Sequence, residues 1–299
     1  MSNTDSQSAT QTEIKTVAVV GGGFMGSGIA ESTAVAGVPV IVFESDPERR
    51  PGVTDRIGKS LARAVKGGKM DQQAMDDTLA RITIAEHLSG ISEADLVIEV
   101  VPEDLELKLR VMGEIEKVVS PEAIVASNTS SIPIAELAGT FKHPERVCGL
   151  HFFAPVPVMK LVEIVVALDS SEATIESARR FCATIGKRPI ETKDRSGFVV
   201  NMLLVPYLMA GVRMYEEEFA TPEDIDEGMR LGCGHPMGPL ELCDFIGLDV
   251  LYSVCDSLYE EFKRDEYAPP PILKRMVASG RFGRKSGRGF YKYENGAKV

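Results

Sequence analysis

The sequence predicts an α/β fold, with a mostly parallel sheet domain followed by an all-helical C-terminal domain. Three observations predict it. Short β-branched runs alternate with helical stretches through the first part of the chain, the pattern of a parallel sheet covered on both faces. After Asp194 the strand pattern stops and long apolar-to-amphipathic segments take over. A glycine-rich turn joins the first strand to the first helix.

In chain order, residues 14–20, 39–43, 82–85, 96–100 and 124–126 read as strands. Between them, residues 25–36, 47–66, 71–80 and 103–119 carry helical patterning. Residues 147–150, 162–166 and 189–192 extend the sheet, with a helix at 173–185 before the last. The helical domain begins with 198–218, where Pro206 is placed to kink the helix. Segments 222–231, 239–261 and 271–279 each start near a proline, as helices often do, and a short extended tail at 289–293 follows. The boundary falls near 192–195, giving a sheet domain at 14–192 and a helical domain at 193–299. Residues 1–13 are rich in Ser, Thr and Gln, with neither a positive segment nor an apolar one. They read as a disordered tail rather than a signal peptide, which places the chain in the cytoplasm.

Composition narrows the function classes. Of 299 residues, 44% are hydrophobic and 26% charged, so a packed core is expected. No apolar run reaches the roughly 18 residues of a membrane span. The five cysteines are an odd number without C-x-x-C spacing, which argues against a disulfide framework or a zinc site and for reduced core residues. A net charge of −11 argues against nucleic acid as a general partner, because phosphate neutralisation needs a basic surface. No metal-ligand spacing is present.

The first strand runs into Gly21-Gly22-Gly23-Phe24-Met25-Gly26, a G-x-G-x-x-G turn that opens a helix. Gly21 makes the tight turn, Gly23 lets backbone approach a pyrophosphate, and Gly26 lets helix and strand pack closely. Glu44 closes the second strand, where a carboxylate binds adenosine ribose hydroxyls and repels a 2′-phosphate. The unit is therefore Rossmann-type, with NAD favoured over NADP, although Arg49 and Arg50 stand nearby as cations for a phosphate.

Four histidines are available for proton transfer. His87 lies in a polar connection, His143 in a turn before Pro144, and His235 in a glycine-rich loop. His151 instead follows the strand 147–150, at the carboxyl end where open α/β sheets bind ligands. Glu163, on the next apolar strand, could pair with its imidazole and raise its basicity, or could be an edge-strand charge facing water. Asn128-Thr129-Ser130-Ser131 offers hydroxyl and amide groups at the same sheet end, or a turn and helix cap in which Ser131 caps the helix before Ile134.

Several strings, in order, resemble the L-3-hydroxyacyl-CoA dehydrogenase family: Ala126-Ser127-Asn128-Thr129-Ser130-Ser131, Gly149-Leu150-His151-Phe152-Phe153, and Pro155-Val156-Pro157-Val158-Met159-Lys160-Leu161-Val162-Glu163. So do Gly197-Phe198-Val199-Val200-Asn201, Met237-Gly238-Pro239 and Gly287-Arg288-Gly289-Phe290-Tyr291. The resemblance implies that His151 is the catalytic base, Glu163 its orienting partner, and Ser130 and Asn201 a substrate-positioning pair. It implies that Glu103, Lys108 and Asn128 line the nicotinamide end of the cofactor, beside the glycine turn with Phe24 and Met25. The family usually has asparagine where this chain has Ala154, which puts a polar contact near the reacting groups in doubt.

The implied reaction moves a hydride between substrate C3 and the nicotinamide while His151 takes or gives the hydroxyl proton. For the CoA phosphates, Lys59, Arg63, Lys66 and Lys69 recur at helical spacing, a stripe that could equally be a solvated face. The family places its CoA-binding helical hairpin there, with Ser60 and Lys66 the best positional candidates. A short-chain 3-hydroxybutyryl-CoA substrate fits a chain of this size by family analogy. The alternatives are an NAD-dependent sugar-acid dehydrogenase of the gulonate type and a non-catalytic NAD-binding relative. Apolar surface on 198–218 and 239–261 implies a homodimer through the helical domain. With Asn201 in the helical domain and His151 and Ser130 in the sheet domain, the reaction is expected in a cleft between the two.

Overall fold

The computed structural model describes residues 13–299; the tail expected at residues 1–13 therefore lies, but for Glu13, outside the described residues. The chain divides into two compact units, one ending at Asp194 and the other spanning Arg195–Val299.

In the first unit the strands are β1 (Val17–Val20), β2 (Val40–Phe43), β3 (Ile82–Ala85), β4 (Leu96–Glu99), β5 (Ile124–Ser127), β6 (Val147–Phe152), β7 (Leu161–Val166) and β8 (Arg188–Lys193). They form one sheet in the order β3-β2-β1-β4-β5-β6-β7-β8. β1 to β6 are parallel; β7 turns antiparallel to β6, and β8 runs parallel to β7. The strands β1, β4, β5 and β6 are buried along their whole length, because helices cover both faces of a parallel sheet.

Those helices are α1 (Phe24–Val35), α2 (Arg50–Lys66), α3 (Gln72–Ala80), α4 (Leu105–Val118), α5 (Ile134–Ala138) and α6 (Glu172–Thr184). Their starts follow from capping. Asp71, Asp104 and Ser171 each accept a backbone N–H from the first turn of α3, α4 and α6, which starts the first two later than the 71 and 103 expected and the third one residue before the 173 expected. Ser131 does not cap α5. The Asp194 carboxylate does so instead, accepting from Ile134 N at 2.8 Å and Ala135 N at 2.7 Å. The core of this unit packs Val19, Ile29, Ile57, Leu61, Leu96 and Leu150 with their neighbours, each such side chain contributing about 1.5–3 kcal/mol by burial.

The second unit holds α7 (Val200–Glu216), α8 (Pro222–Cys233), α9 (Pro239–Ile246), α10 (Leu248–Phe262) and α11 (Pro271–Ala278), closed by a hairpin of β9 (Tyr293–Glu294) and β10 (Ala297–Lys298). α7 continues through Pro206. The single helix expected at 239–261 is two, because Gly247 takes φ +103° and breaks the ladder between α9 and α10. The extended tail expected at 289–293 starts only at Tyr293. There Asn295 and Gly296, both at positive φ, turn the chain back on itself. Leu208, Met209, Leu240, Leu251, Leu258 and Leu273 form a separate core.

All five cysteines are free thiols, four of them buried and Cys233 exposed. Burial pushes the Cys148 thiol up to about 12, so it is no nucleophile at neutral pH. Among the described residues, no helix is long and apolar enough to cross a membrane, and no cluster of His, Cys, Asp and Glu could hold a metal ion.

Candidate active site

Parallel pairing aligns the carboxyl ends of β1, β4, β5 and β6: Val20 opposes Glu99, Glu99 opposes Ser127, and Ser127 opposes Gly149. Everything that follows these residues opens on one edge of the sheet, where such folds bind ligands.

The glycine turn is tight where the motif demands it. A Cβ on Gly21, at φ +113°, would stand 2.6 Å from the Val100 carbonyl oxygen, and one on Gly26 only 1.8 Å from the Gly21 oxygen. A Cβ on Gly23 would meet nothing within 4 Å, so the turn leaves open space at the start of α1, whose N-cap makes no side-chain hydrogen bond. A pyrophosphate fits that cradle, with backbone N–H groups and the helix dipole facing it. Phe24, at 65% exposure, and the half-buried Met25 begin the helix beside it.

Glu44 points back at this turn: Oε2 accepts from Gly22 N at 3.0 Å and Oε1 from Asp46 N at 3.1 Å. Each oxygen keeps further lone-pair capacity for ribose hydroxyls. The two arginines are engaged elsewhere. Arg50 donates to the Glu44 and Glu86 carbonyls at 2.9 and 2.8 Å, and Arg49 pairs with Asp46 at 3.2 Å. A third, Arg56 on α2, lies against the turn, donating to the Gly22 carbonyl and, at 3.1 Å, to Ser27 Oγ. Nothing in its sequence context distinguishes it from the other cations of α2.

His151 lies inside β6, not beyond it as the strand expected at 147–150 would have it, because the antiparallel pairing with β7 extends β6 to Phe152. That same pairing sets Glu163 directly opposite, with Oε2 2.7 Å from His151 Nδ1. Glu163 is fully buried and His151 is 7% exposed, so Glu163 is not an edge charge facing water. Phe153 packs on the imidazole at 4.6 Å between ring centroids. The turn that follows is held by Lys187, whose buried ammonium donates to the carbonyls of Val156 and Met159. Ala154 in this turn is exposed.

Asn128 joins this group. Its Oδ1 accepts from Phe152 N at 2.9 Å, tying the end of β5 to the strand of His151. Ser130, half-buried, follows two residues later. The loop is gathered by Glu103: one oxygen, Oε1, accepts from Thr129 Oγ1, from Ser130 N at 3.0 Å, and from Ser131 N and Oγ at 3.2 and 3.0 Å. Burial works to raise the Glu103 carboxyl, but the Lys108 ammonium and these hydrogen bonds outweigh it and hold the carboxyl below its usual range. Lys108 is only 1% exposed; its Nζ lies 3.4 Å from Glu103 and 2.8 Å from the fully buried Glu99. Sequence reading missed Glu99. Its only signal was a charge closing the apolar strand Leu96-Val97-Ile98.

On α2, Lys59, Arg63 and Lys66 are exposed, and Gly67 ends the helix before Lys69. Ser60 turns inward and donates to Glu31 Oε1 at 2.8 Å. Burial raises the Glu31 carboxyl against the pull of Ser60, Arg63 and Lys187. Asn201 stands half-buried in the first turn of α7, in the second unit.

Comparison with known proteins covers both units. The model of the 3-hydroxyacyl-CoA dehydrogenase NAD binding domain matches residues 16–195, and that of the 3-hydroxyacyl-CoA dehydrogenase C-terminal domain matches residues 197–293. A 3-hydroxybutyryl-CoA dehydrogenase of Mycobacterium tuberculosis is 50% identical over 282 residues, covering 94% of this chain and 99% of the relative. The crystal structure of M. tuberculosis FadB2 superposes with a TM-score of 0.93 at 50% identity, covering 94% of this chain and 99% of the other. That of (S)-3-hydroxybutyryl-CoA dehydrogenase PaaH1 from Ralstonia eutropha gives 0.91 at 40%, covering 95% and 100%.

Proposed function

This chain belongs to the 3-hydroxyacyl-CoA dehydrogenase family, and on that premise we propose that it interconverts a short (S)-3-hydroxyacyl-CoA, such as 3-hydroxybutyryl-CoA, and its 3-keto form with NAD(H). The observation that carries the reading is the buried His151–Glu163 pair at 2.7 Å, at the carboxyl end of a sheet whose first turn can seat a pyrophosphate.

The carboxylate at Nδ1 selects the tautomer with its proton there, so Nε2 exchanges the proton with substrate. His151 takes the 3-hydroxyl proton in oxidation and returns it to the 3-keto oxygen in reduction. Glu163 stabilises the imidazolium formed in between, at short range and away from water. The nicotinamide cofactor, when bound, supplies the hydride acceptor or donor. Ser130 and Asn201 orient the substrate oxygen, while Asn128, Glu103 and Lys108 shape the nicotinamide end. Lys66 and the exposed cations of α2 serve the CoA phosphates, and Ser60, bonded to Glu31, anchors α2 to α1 beside them.

NAD is the proposed coenzyme. The Glu44 side chain points at the glycine turn, where the ribose is proposed to lie, and Arg49 and Arg50 are already engaged by Asp46 and by backbone carbonyls. A homodimer through the helical unit is part of the proposal, supported by apolar side chains left exposed there, Leu203 at 72% and Leu231 at 75% among them. The deciding experiment is NADH consumption with acetoacetyl-CoA, repeated with NADPH and with longer 3-ketoacyl-CoAs. Efficient turnover with acetoacetyl-CoA and NADH supports the reading; turnover confined to a sugar acid would replace it.

A further inference from the structure

Glu99 is the last residue of β4 and is fully buried, yet it ends a strand whose other side chains are apolar. Its Oε1 accepts from Lys108 Nζ at 2.8 Å and from Val101 N at 2.6 Å. Its Oε2 accepts from Ser127 Oγ at 2.6 Å and from the same ammonium at 3.1 Å. Ser127 Oγ in turn accepts from Thr129 N at 3.2 Å, and the Glu99 carbonyl accepts from Asn128 N at 2.9 Å. Lys108 completes its shell with the Val101 carbonyl at 3.1 Å and with Glu103. One buried carboxylate thus holds both the loop that carries Asn128 and Ser130 and the lysine that faces Glu103.

A buried ion pair is costly to assemble and contributes little net stability compared with apolar packing. Two carboxylates share one ammonium here, so the cluster carries one net negative charge. The cluster reaches the glycine turn through backbone: Val101 N, which donates to Glu99 Oε1, lies 3.2 Å from where a Cβ on Gly21 would stand. An oxidised nicotinamide ring is cationic and a reduced one is neutral, so a fixed negative charge at that end distinguishes them.

We propose that Glu99 is a positioning residue that, through Lys108 and Glu103, sets the negative charge of the nicotinamide end and so favours the oxidised coenzyme over the reduced one. The proposal rests on the functional reading above for which end of the coenzyme meets this cluster.

The test measures binding of NAD⁺ and of NADH, each without substrate, to wild type and to Glu99→Gln, Glu99→Asp and Glu103→Gln. It is run by calorimetry at pH 6, well to the acid side of a lysine. Glu99→Gln keeps the shape and one oxygen to accept from Val101 N and Lys108 Nζ, but loses the second acceptor and the charge. It is expected to weaken NAD⁺ by about five- to tenfold, the order of one screened charge at close range, and NADH by less than twofold. Glu99→Asp, which keeps the charge, is expected to keep the wild-type affinity ratio. A Glu99→Gln protein that weakens both coenzymes equally would reduce Glu99 to a structural role and overturn the proposal. If Glu99→Gln does not fold, Glu103→Gln, on a partly exposed side chain, decides: an unchanged ratio there overturns the proposal as well. Failure of the functional reading is seen separately, as wild-type protein that binds coenzyme but does not reduce acetoacetyl-CoA.

Discussion

Glu163 stands opposite His151 across the β6–β7 pairing, its Oε2 2.7 Å from the imidazole Nδ1. Directly opposed residues of an antiparallel pair share one face of the sheet, and a slip of one residue would turn one of them away. The pair is therefore a property of register, and the proposed proton transfer rests on it.

His151→Ala is expected to lower turnover with acetoacetyl-CoA by about 10²–10⁴-fold, the usual range for a general acid/base, with NADH affinity unchanged. Glu163→Gln should cut turnover less, and should alter the dependence of turnover on pH because the imidazolium loses its counter-charge. Steady-state rates across pH, beside direct NADH titration, check both. Near-wild-type turnover in His151→Ala would remove it from the chemistry.

The glycine turn separates folding from coenzyme binding. Gly23→Ala adds a methyl where nothing lies within 4 Å, so its thermal midpoint should match wild type while NADH binding weakens. Gly26→Ala places its methyl 1.8 Å from the Gly21 carbonyl oxygen, and should lower the midpoint as well. Melting curves with and without NADH distinguish the two.

Glu44→Ala removes the acceptor that holds Gly22 N and, in the proposed complex, the ribose hydroxyls. Loss of a charge-assisted hydrogen bond of about 1.5–3 kcal/mol corresponds to roughly tenfold or more in NADH efficiency. NADPH should suffer less or gain. Catalytic efficiency with each coenzyme, in both proteins, measures the switch, and a wild-type preference for NADPH would reverse the assignment of Glu44.

Glu103 ties acid stability to the site. Its carboxyl is held below the usual value of 4.5, so its ionised form stabilises the native state above that pH. The stabilisation fades as the pH falls through 4.5 and then through the lower native value. Glu103→Gln should therefore lower the thermal midpoint at pH 7 and converge on wild type in strong acid. Parallel curves over that range would show that the carboxylate adds nothing to folding.

Much of the fold was legible because it is local. The strand Val17–Val20, inside the 14–20 run expected, the helix at 72–80, one residue short of that expected, and the glycine turn are written in neighbouring residues, and their periodicity or backbone needs decide them. Where a local rule had a distant competitor, it lost. Ser131 was in place to cap α5, but Asp194, far along the chain, supplies the two acceptors. The segment at 239–261 reads as one helix, and only the backbone taken up by Gly247 divides it.

By itself, the sequence determined the order of elements, the dinucleotide turn and the residue types able to move a proton. Their family pattern pointed to 3-hydroxyacyl-CoA chemistry. Tertiary structure decided what pairing across the sheet decides. It set Glu163 opposite His151, turned Ser60 toward Glu31, and buried Glu99 with Lys108 at the end of β4. The reason is physical: hydrophobic periodicity selects the face a side chain takes, whereas strand order and register select its partner, and a charge can stay buried only with a partner.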